Sequence, residues 1–236
     1  MRFYRQLQPF NIISFDLDDT LYDNRSVITE AEKQFLCELQ RLAVLPHLTA
    51  ESWGQVKSAV AVANPLIMED VVHWRKAALV CLLQQSAVAA DKIEKISKKV
   101  MAHFVHWRHQ IDVPLQSVEI LNNLAQRYPL VAITNGNVEP HRIGLDQFSL
   151  CLRGGEHGRA KPHFDLFAQT AAHFNVRSDQ ILHVGDNLQA DVQGAVQAGC
   201  QAVWLNLNSD SLLAHQQSRN LPHVELTNLK QLLLLA

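Results

Sequence analysis

The chain has 236 residues, 47% of them hydrophobic, which suits one large domain or a domain carrying an insertion. With 21 Lys and Arg against 23 Asp and Glu, the net charge of -2 leaves no basic surplus to hold nucleic acid or an anionic membrane surface. The longest purely apolar stretches, such as residues 232–236, are too short to span a bilayer, and the opening Met-Arg-Phe-Tyr-Arg lacks the apolar core of a secretory signal. Cys37, Cys81, Cys151 and Cys200 stand far apart, with no C-x-x-C pair. They read as small core residues of a reducing compartment, so a cytoplasmic protein is expected.

The first element, a strand over residues 11–16, runs Ile-Ile-Ser-Phe and then breaks into Asp16-Leu-Asp18-Asp19-Thr20. A buried strand has no packing reason to end in three acids and a hydroxyl. If the chain stays extended, alternation puts Asp16, Asp18 and Thr20 on one face and Asp19 on the other. Such a cluster can hold a hard cation, supply an oxygen nucleophile and keep a second acid for proton transfer.

Residues 24 to 110 are helical in texture, with Gly54 the only glycine and Pro46 and Pro65 the only prolines. The spacing predicts helices at 26–43, 50–62, 67–85 and 90–109. From Val113 onward, short apolar runs alternate with amphipathic helices. Strands are predicted at 130–134, 149–152, 181–185 and 202–205, and helices at 116–127, 163–174 and 189–198, with Pro162 and Gly199 as boundary signals. The fold class is therefore α/β: a Rossmann-like parallel sheet core (1–22 and 113–236) with an inserted all-helical cap (23–112).

The later strands also end in polar clusters. Residues 130–134 run into Thr134-Asn135-Gly136, suited to anionic oxygens through the hydroxyl and nearby amides, or simply an Asn-Gly turn. Lys161 lies in a loop before a helix. Residues 181–185 lead into Asp186, with Asp191 five residues on, in the first turn of the predicted helix, where an acid is favourable in its own right. In a parallel sheet these strand ends share one edge, where such sheets bind ligands.

The ordered set Asp-x-Asp-x-Thr, strand-end Thr134, Lys161 and Gly-Asp-x-x-x-x-Asp resembles the haloacid dehalogenase-like phosphatase superfamily over essentially the whole chain. The resemblance implies Asp16 as nucleophile, forming an aspartyl-phosphate, and Asp18 as the acid that protonates the leaving alcohol and then activates water. It implies Thr134 and Lys161 as phosphoryl ligands, with Asp18, Asp19, Thr20, Asn135 and Gly136 lining the phosphate. It further implies Mg2+ on the Asp16 carboxylate, the Asp18 backbone carbonyl and Asp186, with Asp191 in support. Asp19 takes a structural role through its side chain, while its backbone amide remains available to a phosphate.

More narrowly, the stretches 15–24, 131–137 and 183–186 resemble a branch that dephosphorylates flavin mononucleotide and 5-amino-6-(5-phospho-D-ribitylamino)uracil in riboflavin metabolism. A phosphomutase and a broad sugar or nucleotide phosphatase remain alternatives, as does a phospho-accepting signalling or binding protein. The expected partner is a small phosphorylated metabolite, not nucleic acid or membrane, with the chain acting as a monomer or small homo-oligomer. Val-His-Trp-Arg occurs twice in the cap, making Trp74, Arg75, Trp107 and Arg108 candidates for substrate contact. The competing expectation is that the two tryptophans pack together, with Arg on the wet side. The His103, His106 and His109 series is expected to be solvated.

Overall fold

The computed structural model describes residues 1–214 and 218–236. The chain divides into two compact units, one formed by Met1–Asp23 with Asp112–Ala236 and the other by Asn24–Ile111. The larger holds a seven-stranded sheet of β1 (Arg2–Phe3), β2 (Ile12–Phe15), β3 (Leu130–Thr134), β4 (Phe148–Arg153), β5 (Ile181–Gly185), β6 (Gln201–Leu205) and β7 (Val224–Leu226). Their spatial order is β1-β7-β6-β5-β2-β3-β4, and only β1, pairing with β7, runs antiparallel. β2 is central, flanked in parallel by β3 and β5. The chain builds outward from β2 through β3 and β4 on one side, then crosses to β5, β6 and β7 on the other. The ends of β2, β3 and β5 thus meet at the point where the order reverses.

β2, β3, β5 and β6 are buried along their whole length, which is why each reads as an apolar run instead of an alternating one. One side of the core gathers Ile12, Val131, Ile133, Ile181 and Trp204 with Leu166 and Phe167 of α6 (Asp165–Phe174). The helix predicted at 116–127 is α5 (Leu115–Ala125). The short strands β1, at the sheet edge, and β7 beside it carry too few residues for a pattern and were not anticipated. The helix expected at 189–198 begins instead as a π-helical turn, Leu188–Gln193, before a short α-helix, Gly194–Gln197.

The second unit is all helical: α1 (Arg25–Ala43), α2 (Ala50–Ala63), α3 (Val71–Gln85) and α4 (Ala90–Arg108). Thr49 and Ser52 form a reciprocal capping box that starts α2. Asp70 accepts from the amides of Val72 and His73 to start α3, four residues later than predicted, because a 3-10 turn occupies Pro65–Glu69. Phe35 packs on Trp53 at 4.9 Å and edge-on to Phe104 at 6.0 Å, amid buried Leu39, Leu79, Leu83 and Val100.

The expectation that the two tryptophans pack together with the arginines on the wet side does not hold. Both tryptophans are half-buried, whereas Arg75 and Arg108 are buried. Arg75 makes two hydrogen bonds to Glu32, at 2.9 and 2.7 Å, and stacks 3.7 Å from the ring centre of Phe104. An arginine can enter a core this way because its charge is paired bidentately and its flat face covers an aromatic ring. Trp74 donates its indole N–H to the Lys57 carbonyl of α2 instead of meeting Trp107. His109 is buried, its Nδ1 2.7 Å from the Val105 carbonyl, so the histidine series is not a uniformly solvated face.

Candidate active site

Strand β2 stops at Phe15, so alternation along an extended chain does not govern the acidic junction. Residues 17–21 instead fold into a tight turn, in which the amides of Thr20 and Leu21 both donate to the Leu17 carbonyl. Asp19 sits in the left-handed region at φ 59, a conformation that Asp tolerates better than most residues. Its amide donates to the Tyr22 carbonyl at 2.9 Å, which removes the expected phosphate donor. Thr20 also departs from expectation. Its hydroxyl accepts from the Asp186 amide at 3.2 Å and lies 3.4 Å from Asp16 and 3.3 Å from the Asp186 carboxylate, pinning the first loop to the last.

Asp16 and Asp18 part company in this turn. Asp16 is buried and turned toward Lys161, whose Nζ lies 2.8 Å from its Oδ1. Asp18 is partly exposed and accepts at 2.8 Å from the Tyr22 hydroxyl, a partner that the sequence reading missed. The same carboxylate leans over the end of β3, so close that a Cβ on Gly136 would stand 2.7 Å from its Oδ2. Only glycine leaves that space open. Thr134 is buried beside it and accepts from the Gly136 amide at 2.9 Å.

Asn135, expected as a phosphate ligand, is spent elsewhere. Its Nδ2 donates to the Lys161 carbonyl and its Oδ1 accepts from the Lys161 amide, both at 2.8 Å. The lysine loop is thereby fixed to the end of β3. The Lys161 ammonium donates to Asp16, to Asp191 at 2.6 Å and to the Ile133 carbonyl, matching its three hydrogens with three acceptors.

Asp191 is not an acid on a solvated helix end. The wide π turn carries it back over Gly185, where it fills the space a Cβ would need. There its Oδ1 accepts from Lys161 and His183, and its Oδ2 from the Asn187 amide at 2.9 Å. Oxygens of Asp16, Asp186 and Asp191 come within 4.8 Å of one another, the one such acid group found among the described residues.

Burial and mutual repulsion shape the charges. Burial drives the Asp16 carboxyl well above the ordinary range, against the pull of Lys161. Burial, then the nearby charges of Asp191 and Asp19, push Asp186 up to about 6. For Asp191 burial acts upward too, but Lys161 and His183 outweigh it and hold the group below the usual range. Lys161 runs the other way: burial disfavours its charge, yet the two carboxylates beside it raise it overall.

The profile of one family, described as haloacid dehalogenase-like hydrolase, matches residues 10–199. The chain belongs to that family. It is 41% identical to the 5-amino-6-(5-phospho-D-ribitylamino)uracil phosphatase YigB of Escherichia coli, over 98% of each chain. It is 30% identical to the pyrimidine 5'-nucleotidase YjjG of the same organism, over 82% of this chain and 85% of that protein. Among solved structures, a 2-haloacid dehalogenase from Pseudomonas syringae superposes with a TM-score of 0.87 at 29% identity, covering 94% of this chain and 96% of that one. No helix among the described residues is long and apolar enough to cross a membrane.

Proposed function

We propose that the chain is a Mg2+-dependent phosphatase of small phosphomonoesters, acting through an aspartyl-phosphate on Asp16. The substrate class is a ribityl phosphate, either 5-amino-6-(5-phospho-D-ribitylamino)uracil or flavin mononucleotide. The observation that carries the reading is the Lys161 ammonium, held between Asp16 and Asp191 with Asp186 completing a three-acid cluster. The similarity to YigB supports the substrate class.

The acid cluster offers only hard oxygen donors, which suits Mg2+. Asp16, Asp186 and the backbone carbonyl of Asp18 would hold it, with Asp191 in support. When bound, the metal offsets negative charge that opposes the approach of an anionic ester. Asp16 attacks phosphorus through one carboxylate oxygen, and the bond from phosphorus to the alkyl oxygen breaks. Asp18 gives its proton to that oxygen, so the alcohol leaves neutral. Water then attacks the phosphoaspartate, Asp18 takes the proton, and phosphate departs as Asp16 is restored. Lys161 and Thr134 stabilise charge on the transferring group. Residues 1–22 and 113–236 act as the catalytic core, and 23–112 as a cap that helps select the substrate.

The test is product release from a panel of phosphomonoesters and one 2-haloacid, with and without Mg2+, in wild type and Asp16→Asn. Metal-dependent free phosphate from the ribityl phosphates, abolished in the variant, is expected. Isomerised ester without free phosphate would mean a phosphomutase. Halide release would mean a dehalogenase, a chemistry that has no need of the acid at Asp18.

A further inference from the structure

His183 is the one polar side chain in β5, lying mid-strand and fully buried. The ladder pairs it with Ser14 of β2, two residues before Asp16, and the Ser14 hydroxyl lies 2.9 Å from its Nδ1. The other ring nitrogen, Nε2, lies 3.3 Å from Asp191 Oδ1, the same oxygen that takes a hydrogen from Lys161. The Phe167 ring stands edge-on at 5.0 Å and fixes the imidazole plane. A buried histidine with both nitrogens matched has a defined role in the network or is a costly accident.

The donors and acceptors admit one arrangement for a neutral ring. Asp191, which also faces Lys161, can only accept, so Nε2 carries the hydrogen. Nδ1 is then bare and accepts from the Ser14 hydroxyl. We propose that Ser14 and His183 form a positioning pair: Ser14 selects the Nε2–H tautomer, and His183 holds Asp191 and hence Lys161 against Asp16. The inference rests on the proposed phosphatase reading for the roles of Asp16 and Lys161. It adds that the reactive lysine is set from beneath by two residues that do not touch substrate. The ring is fully buried and has one acceptor, Asp191, on one side and one hydroxyl, Ser14, on the other, the pairing a neutral imidazole satisfies. Ser14 and His183 lie on neighbouring strands, β2 and β5, and their hydrogen bonds lead through Asp191 to the Lys161 ammonium beside Asp16.

Imidazole nitrogen NMR on the metal-free wild type at neutral pH tests the arrangement directly. A hydrogen on Nε2 and a bare Nδ1 for His183 are expected; a ring protonated on Nδ1 overturns the proposal. Kinetics test the consequence. His183→Phe keeps the bulk and loses the donor, so kcat falls about 10–100-fold while KM barely moves. His183→Gln can restore a donor toward Asp191, and recovery of most of kcat is expected. A Phe variant with wild-type kcat, or a folded Gln variant no better than Phe, overturns the proposal. If the Phe variant does not fold, the wild-type imidazole signals still decide. Wild-type protein releasing no phosphate would defeat the proposed function, whereas an Nδ1–H ring defeats this inference alone.

Discussion

Asn135 and Lys161 hold each other by two reciprocal hydrogen bonds, each 2.8 Å long, between one side-chain amide and both backbone groups of the other residue. The lysine is thus placed twice, by its main chain through Asn135 and by its ammonium through Asp16 and Asp191. Asn135→Ala leaves the Lys161 amide and carbonyl without these partners, a loss of roughly 1–3 kcal/mol. Asn135→Asp keeps the acceptor and loses the donor, so its cost should be smaller. Urea denaturation should rank wild type above Asp above Ala, with kcat following the same order. An Ala variant with wild-type kcat would mean that the loop needs no clamp.

Asp186 gives the metal-free protein a distinctive pH dependence. Burial and the neighbouring acids push its carboxyl up to about 6 in the fold, against 3.8 for an ordinary aspartate. The folded state therefore holds a proton that the unfolded state has released between those values, and stability falls as pH rises through that window. The loss amounts to roughly 3 kcal/mol above pH 7. In EDTA, Asp186→Asn should match wild type near pH 4 and exceed it in Tm at pH 7.5. Added Mg2+ should raise the wild-type Tm at pH 7.5 and leave the variant nearly unmoved. A variant less stable than wild type at pH 7.5 without metal would contradict this electrostatic account.

Arg75 makes a different prediction within the helical unit. Its guanidinium is paired bidentately with Glu32 and covers the Phe104 ring. Arg75→Ala removes the bidentate partner of Glu32, leaving it only Lys57 at 3.4 Å, and the packing on Phe104, a destabilisation of about 3 kcal/mol, the lower end for breaking a buried pair. Arg75→Lys should recover little, because an ammonium reproduces neither the fork nor the flat stack. Denaturation midpoints of the two variants check this, and full rescue by Lys would refute it.

The parallel sheet and helical insertion were legible because buried strands and amphipathic helices leave strong patterns. Acids at the ends of β2 and β5 were equally plain, since nothing in a core accounts for them. Less legible was what each polar side chain touches. The turn after Phe15 replaced strand alternation, which redirected Thr20 to Asp186 and the Asp19 amide to Tyr22. A π turn put Asp191 under Lys161, because residue spacing alone carries no signal for the wider helix. His183 did carry one: a lone polar residue inside the run Ile-Leu-His-Val-Gly needs a buried partner, and Ser14 stands opposite. Arg75 looked like a surface residue because its partner, Glu32, lies forty-three positions away.

Asp18 separates the two halves of the proposed reaction. Its position beside Gly136 and Thr134, apart from the Asp16–Lys161 pair, suits a group that moves protons without attacking. With an aryl phosphate the leaving group departs without a proton, so Asp18→Asn should still form the aspartyl-phosphate. Hydrolysis of that intermediate needs water activated by Asp18, and general base catalysis of this kind is worth about 10²–10⁴-fold. Asp18→Asn should therefore give a burst of aryl alcohol, equal to one per enzyme, followed by slow turnover. Mass spectrometry of the quenched protein should place one phosphoryl group on the peptide containing Asp16. Alkyl phosphates, whose leaving groups require the proton, should show neither burst nor label. A burst of equal size with both ester classes would remove Asp18 from the first step.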